Sequence, residues 1–391
     1  MTLDRRLLLG SLAAISGSLA GCAAQPGRLA AGLAPGDAPP PLAPIRAHPD
    51  RLFDITVCLR PFRAAGPRLD AETIGDALVV HNYGHGGSGW SLSWGSAQQA
   101  MKKALAGSPR EIAVIGCGAL GLTAAITAQR AGVAVTIYCK EQVAQARSAR
   151  ATGSWTPDSR ISLTSAAAPG FAALWEEMAR TSWHTYRDYL GLPGDPVVFR
   201  DRYTCSDVPF GASLLPEPPG ALDFAEYGGS IADLTPRNVE LPPEANPFRT
   251  KYCRRNSSLQ FNIRDYAHTL MTDFRLAGGR IVMREFHDPV EFGTLPQKVV
   301  VNCTGYGARA LMRDETIVPV RGQIGWLIPQ PEVNYGLFYD GVSVVSRTDG
   351  IVVQALEGGD MRGYNDDHET VDRAEAVSAV GIVAELMSRM R

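Results

Sequence analysis

The chain has 391 residues, 45% hydrophobic and 20% charged, which is the composition of an ordinary globular protein with room for one large core or two lobes. Its formal net charge of −2 argues against nucleic acid as a partner, since no basic excess exists to neutralise a run of phosphates. Neither a CxxC nor an HExxH spacing occurs, so no residue pattern points to a metal.

The first 22 residues read as an address. Arg5 and Arg6 precede an apolar run from Leu7 to Ala20, too short for the roughly 20 residues a membrane span needs. The paired arginines have the form of a twin-arginine export signal, and Leu19–Cys22 (LAGC) has the form of a bacterial lipobox, with Cys22 as the lipidated residue. Residues 23–50 are a Pro/Ala/Gly run without a periodic apolar face and read as a tether. These signals imply export to the periplasmic side and attachment by lipid anchor alone.

A strand follows in FDITVCLRP, where alternation sets Val57 and Leu59 on one face and Cys58 and Arg60 on the other. In HNYGHGGSGW, His81 and His85 have the spacing of helical metal ligands. Gly84, Gly86 and Gly87 make a helix there improbable, so the histidines shape a glycine turn instead. Leu92, Ala97, Ala100 and Leu105 then fall on a helical pattern that Gly107-Ser108-Pro109 ends.

The next unit is the most informative. Ile112–Ile115 is an apolar strand, Gly116, Gly118 and Gly121 form GxGxxG, Leu122–Ala131 continue as a small-residue helix, and Val133–Tyr138 form a second strand. In that setting the glycines permit a tight turn, close approach to a pyrophosphate and close helix–strand packing, and the anion sits at the helix N-terminus. The acid expected after the second strand is displaced. Cys139 and Lys140 come first, and Glu141 either reaches a ribose hydroxyl or lies in an exposed loop. The fingerprint alone does not separate NAD from FAD. Among the cysteines, Cys58, Cys117, Cys139 and Cys303 lie in apolar runs, whereas Cys205 and Cys253 are candidates to pair.

HNYGHGGSGWSLSWG closely resembles the signature near the C-terminus of D-amino-acid oxidases, and CLRPFRAAGPRLDAE resembles the strand before it. SARATGSWTP, with Ser148 and Gly153, resembles the family's segment behind the flavin. VVVNCTGYGARAL, with Thr304 and Gly305, and VRGQI resemble the strand and turn that complete the FAD lobe. The resemblance runs from about Asp50 to the end. It implies an α/β plus α+β fold: a Rossmann-like FAD-binding lobe (approximately 75–160 and 256–325) and a mixed, mainly antiparallel substrate lobe (approximately 51–74, 161–255 and 326–391). The order of parts departs from the family, because the HNYGHGG segment precedes the fingerprint. The chain therefore reads as circularly permuted, with its new ends between the final helix AEAVSAVGIVAELMSRMR and the strand FDITVCLRP.

By the same resemblance the cofactor is FAD and the substrate a D-amino acid or related amine. Gly116, Gly118, Ala119, Leu120, Gly121, Glu141, Ser148, Gly153, Thr304 and Gly305 would bind FAD, and the backbone of Gly86, Gly87, Ser88, Gly89, Trp90 and Ser91 would face its pyrimidine end. Arg60 would grip the substrate carboxylate, with Arg63 a bystander, and the Gly87 carbonyl would accept from the amine. Ser343 stands where the family often carries a substrate-binding Tyr, and Tyr339 is the candidate to compensate; Arg347 matches a structural turn arginine. The implied reaction is hydride transfer from Cα to the flavin, imino acid hydrolysis to a keto acid, and reduction of O2 to H2O2. Two alternatives stay open: a dehydrogenase passing electrons to a membrane quinone, and a flavin-binding lipoprotein without turnover.

Overall fold

The computed structural model describes residues 41–211 and 219–390. The signal, the lipobox at Cys22 and most of the tether lie outside the described residues. The alternation read in FDITVCLRP belongs to a longer strand, β1 (Leu52–Arg63), which buries Val57 and Leu59 and turns Cys58 and Arg60 to the opposite face. It pairs antiparallel with β11 (Ile317–Leu327), Arg60 opposite Val320 and Cys58 opposite Gly322. The sheet continues through β14 (Gly350–Ala355), β13 (Val342–Arg347), β12 (Tyr335–Tyr339), β6 (Val197–Ser206), β8 (Tyr252–Phe261) and β7 (Val239–Glu240). Every neighbouring pair in these eight strands is antiparallel except β12 with β6.

The second sheet has six strands, ordered β2 (Ala71–Ile74), β3 (Ala77–His81), β10 (Val299–Asn302), β4 (Glu111–Ile115), β5 (Ala134–Cys139) and β9 (Arg280–Met283). Only the β2–β3 hairpin is antiparallel. Its central strands are continuous apolar runs because both faces are covered, as parallel sheets require. Helices α1 (Gly89–Ala104) and α2 (Ala119–Arg130) lie together through fully buried alanines, Ala97, Ala100 and Ala104 with Ala124, Ala125 and Ala128. At Gly95 the backbone of α3 (Phe171–Tyr186) comes so near that a Cβ would lie 2.1 Å from the Met178 carbonyl oxygen. Helix α4 (Ile263–Leu276) completes this layer, and a short α5 (Ala308–Leu311) follows β10. Helix α6 (Arg373–Ser388) packs Val380, Val383 and Leu386 against Tyr335, Leu337 and Val344 of the larger sheet. No helix among the described residues is long and apolar enough to cross a membrane.

Three placements differ from the sequence reading. Strand β11, assigned to the nucleotide lobe, pairs in the eight-stranded sheet, and β2, assigned to the substrate lobe, pairs in the six-stranded one. The last part of the presumed tether is docked. Ile45 is buried, Tyr335 donates to the Ala43 carbonyl at 2.9 Å, and the Arg46 amide donates to Gln330 Oε1 at 2.8 Å. A single apolar residue among prolines carries no periodicity to announce such docking.

Candidate active site

Where the two sheets meet, a cleft of about 440 Å³ runs from the C-terminal end of β5 to the middle of β1. Its floor is the fingerprint turn. Gly116 takes φ +103°, and a Cβ there would lie 2.6 Å from the Cys303 carbonyl oxygen. A Cβ on Gly121 would lie 2.0 Å from the Gly116 carbonyl oxygen, so this glycine seats α2 against the turn. Gly118 is the N-cap of α2 and makes no side-chain cap, which leaves the helix N-terminus facing the cleft. Ser148 Oγ accepts from the Ala119 amide at 3.2 Å, and its carbonyl accepts from Trp90 Nε1 at 2.8 Å. Leu120, Glu141, Thr304 and Gly305 also line the cleft, with Glu141 at the end formed by Cys139, Lys140 and Arg284–His287. An elongated cleft with a helix N-terminus midway and glycines where side chains would intrude fits a dinucleotide such as FAD.

Gly153 does not line the cleft. It takes φ +96° against the Phe261 carbonyl and accepts from the Phe261 amide at 2.7 Å, so its role is to join β8 to the loop after β5. Arg347 serves the same junction: it grips Asp349 at 2.8 and 2.6 Å and donates to the Ala151 carbonyl at 2.7 Å.

The HNYGHGG turn forms the opposite end. Gly86 sits at φ +53°, and a Cβ on it would lie 1.9 Å from the Arg160 carbonyl oxygen; on Gly87 one would lie 2.5 Å from Ser159 Oγ. The expected row of backbone donors is only half available. The amides of Gly86, Gly87 and Ser88 are spent on the carbonyls of Pro61, Ser159 and His85. Gly89, Trp90 and Ser91, the first turn of α1, keep amides without intrahelical partners, and Gly89 and Trp90 line the cleft. Ser88 and Ser91 instead tie the turn down, through Ser88 Oγ to the Ser159 carbonyl (3.0 Å) and the Thr156 amide to Ser91 Oγ (2.8 Å). The Gly87 carbonyl has no donor among the described residues. The two histidines part company: His81 contacts Glu72 at 2.8 Å and His85 contacts Ser96 Oγ at 2.7 Å. Burial pushes the His85 imidazole down to about 3, so it is neutral.

Arg60 closes this end of the cleft. Its guanidinium lies over Gly322, where a Cβ would come within 2.3–2.5 Å of it, and its one hydrogen bond among the described residues is to the Arg321 carbonyl at 3.3 Å. No carboxylate among the described residues pairs with it, and burial holds its pKa below the ordinary arginine value. Arg63 is already satisfied by Thr316 (2.9 Å) and Asp314 (3.4 Å). Beyond Arg60 and Gly322 lies a second pocket of about 170 Å³, also lined by Arg160, Gln354 and Arg362.

Tyr339 is not brought to either pocket. Its hydroxyl donates to Asp207 Oδ2 at 2.9 Å, its ring lies under Arg389, and it faces α6 because β12 alternates Leu337 and Tyr339 to that side. Ser343 faces the other way and accepts from Arg202 at 3.1 Å. Cys205 and Cys253 sit opposite each other on β6 and β8 with sulfurs 3.6 Å apart. Sequence reasoning missed Gly322, Ile324, Tyr306 and Arg284–His287. The VRGQI string held Gly322, but no local pattern tells that Arg60 folds across it.

Residues 111–390 match the sequence profile of the family described as FAD dependent oxidoreductase. The chain is similar to a D-amino-acid oxidase of Rubrobacter xylanophilus, 31% identical over 217 residues that are 54% of this chain and 57% of that one. It is 28% identical to a D-amino-acid oxidase of Streptomyces coelicolor over 217 residues, 55% and 58% of the two chains. The chain thus spans a little over half the length of these curated relatives. Among solved structures, glycine oxidase from Geobacillus kaustophilus shares the fold with a TM-score of 0.50 at 15% identity, over 72% of this chain and 80% of that one.

Proposed function

The chain belongs to the FAD-dependent oxidoreductase family, and on that footing we propose that it oxidises D-amino acids to imino acids, which water then converts to keto acids. The observation that carries this reading is Arg60, a partly buried guanidinium without a carboxylate partner among the described residues, at the end of a cleft that fits FAD. Bound there, FAD would supply the acceptor for the hydride leaving the substrate Cα and the route for its electrons to O2. The chain supplies the rest. Arg60 offers two parallel N–H groups to the substrate carboxylate, a bidentate, charge-assisted contact that fixes orientation. The unpaired Gly87 carbonyl accepts from the substrate amine. The bare first turn of α1 favours negative charge developing at the end of the cleft. Orientation and electrostatics are then sufficient without a dedicated general base. Anaerobic mixing of the yellow holoprotein with a panel of D- and L-amino acids tests the proposal. Bleaching by D-enantiomers is expected; bleaching by none, or by L-enantiomers alone, overturns it.

Two further readings belong with this one. The chain is circularly permuted relative to its family: residues 105–110 alone join α1 to β4, and the Ile45 amide lies 3.2 Å from Met387 Sδ, so the positions that would be rejoined are neighbours. The protein is also exported folded and lipid-anchored at Cys22, on the support of Arg5, Arg6 and LAGC. Substituting Lys for both arginines should leave unprocessed precursor in the cell, and unaffected processing would remove the twin-arginine reading.

A further inference from the structure

The second pocket carries more positive charge than it neutralises. Four arginines line it, against the carboxylates of Asp366 and Glu375. Arg362 takes Glu375 at 2.8 Å. Arg321 donates to the carbonyls of His368 (3.1 Å) and Thr370 (2.8 Å), and hydrogen bonds from the His368 amide (3.0 Å) and ring (2.9 Å), helped by the charge of Arg321, hold the Asp366 carboxyl below its usual range. Both acids are thereby matched, and the excess lies on Arg60 and Arg160.

Arg160 is 6% exposed and sits at φ +49° directly behind the Gly86 turn. Its Nε and Nη2 hold the loop after β14, donating to the carbonyls of Asp360 (2.7 Å) and Gly359 (2.9 Å). The Asp360 carboxylate lies 3.3 Å from Nη2 but is about half exposed, where water weakens the pair. Nη1 has only a 3.5 Å contact with Ser159 Oγ. Burial, with the charge of Arg60 acting in the same direction, pushes the Arg160 pKa down to about 10. Both guanidiniums stay charged near neutral pH, so their mutual repulsion is a standing cost that a bound anion relieves. Gln354, 7% exposed, completes the wall with a carboxamide that makes no hydrogen bond among the described residues.

We infer that this pocket receives a second acidic group of the substrate, held by Arg160 and Gln354 while Arg60 holds the α-carboxylate, and that amino diacids of aspartate or glutamate size are the substrates. The inference rests on the oxidase reading for chemistry, but its binding claim stands apart from turnover. Calorimetry on the wild-type holoprotein should find succinate and glutarate binding at least about tenfold tighter than butyrate and valerate, since each monoacid leaves one of the two arginines unanswered. Equal binding overturns the inference. D-Aspartate and D-glutamate should likewise exceed D-asparagine and D-glutamine in kcat/KM by about 30-fold or more. If the amides match the acids, the oxidase reading survives and the diacid inference falls. If diacids bind preferentially but no D-amino acid is oxidised, the pocket assignment stands and the oxidase reading falls. Arg160→Met should collapse the succinate-to-butyrate ratio toward one, and Arg160→Lys should restore part of it. The wild-type comparison decides even where a variant loosens the loop.

Discussion

Arg60 and Gly322 are a matched pair, one long charged side chain and the bare backbone over which it lies. Removing one partner of a buried, hydrogen-bonded ion pair costs about 2–5 kcal/mol, so Arg60→Met should lower kcat/KM for a D-amino acid roughly 30- to several-thousand-fold. FAD content should hardly change, because Arg60 touches only one end of the cleft. Wild-type turnover by Arg60→Met would disprove the carboxylate role. Gly322→Ala probes the same contact from beneath. The three atoms nearest its Cβ, at 2.3–2.5 Å, all belong to the end of the Arg60 side chain, so the strand survives while the guanidinium is displaced. The expected result is a raised KM with an unchanged melting temperature; a KM like that of the parent would show that Arg60 need not lie where it does. The buried imidazoles give a pH signature at this scale too. Burial lowers both His85, to about 3, and His81. The unfolded chain, with histidine pKa near 6.5, binds protons that the folded chain refuses. Stability is therefore full above about pH 6.5 and is lost as pH falls below it, by up to about 2 kcal/mol for His85 between pH 6.5 and 5. Urea titrations at pH 7 and pH 5 read this before the paired carboxylates, whose pKa values are depressed, begin to protonate; equal midpoints would contradict it.

At the scale of the element, the HNYGHGG turn is the hinge between sequence and site. It hands the chain from β3 to α1 while keeping its outer surface free of side chains, and at Gly86 space and conformation forbid anything but glycine. Gly86→Ala puts a Cβ 1.9 Å from a backbone oxygen at positive φ, so the backbone itself must move. The substitution should destabilise the protein by roughly 2 kcal/mol or more and lower FAD retention, measured as a shift in melting temperature and in the ratio of flavin to protein absorbance. A melting temperature equal to the parent's would show the turn to be pliable. This turn, the GxGxxG unit and the alternation around Arg60 were legible because each is a local pattern whose spacing carries its own physical reason. The rest was not local. Nothing in AETIGDALVV or in VPVRGQIGW states which sheet a strand joins: β2 pairs in the six-stranded sheet and β11 in the eight-stranded one. Tyr339 lies on the side of β12 that faces α6, one residue out of phase with Phe338, and a shift of one residue reverses a strand's faces. Arg160 stood in a plain DSRIS string, and only the folded chain brings it beside Arg60.

Across the whole molecule, neither sheet holds the site alone. The fingerprint and the glycine turn come from the six-stranded side, Arg60 and Gly322 from the eight-stranded side, and α1 and β11 bring them together. Such a site depends on which elements pack together and is indifferent to the order in which the chain visits them, provided the connections stay short. The two connections at issue meet that condition. Residues 105–110 span α1 to β4, and the docked segment at Ile45 lies against Met387 near the end of α6. Loop closure costs only about 0.6 kcal/mol per doubling of loop length, so exchanging one short connection for another shifts stability little. A chain begun at Arg110, joined by a short Gly/Ser linker from Met390 to Pro41, and ended at Leu105 should therefore fold and bind FAD in equal stoichiometry. Its kcat/KM should lie within a few-fold of the parent, since no lining residue is altered. Spectroscopic FAD titration and the same oxidase assay check this on the soluble protein without residues 1–40. An insoluble or flavin-free product from that rearrangement, beside a well-folded parent cut at the same residue 41, would show that the observed order is needed for folding and that the permuted relation to the family is wrong.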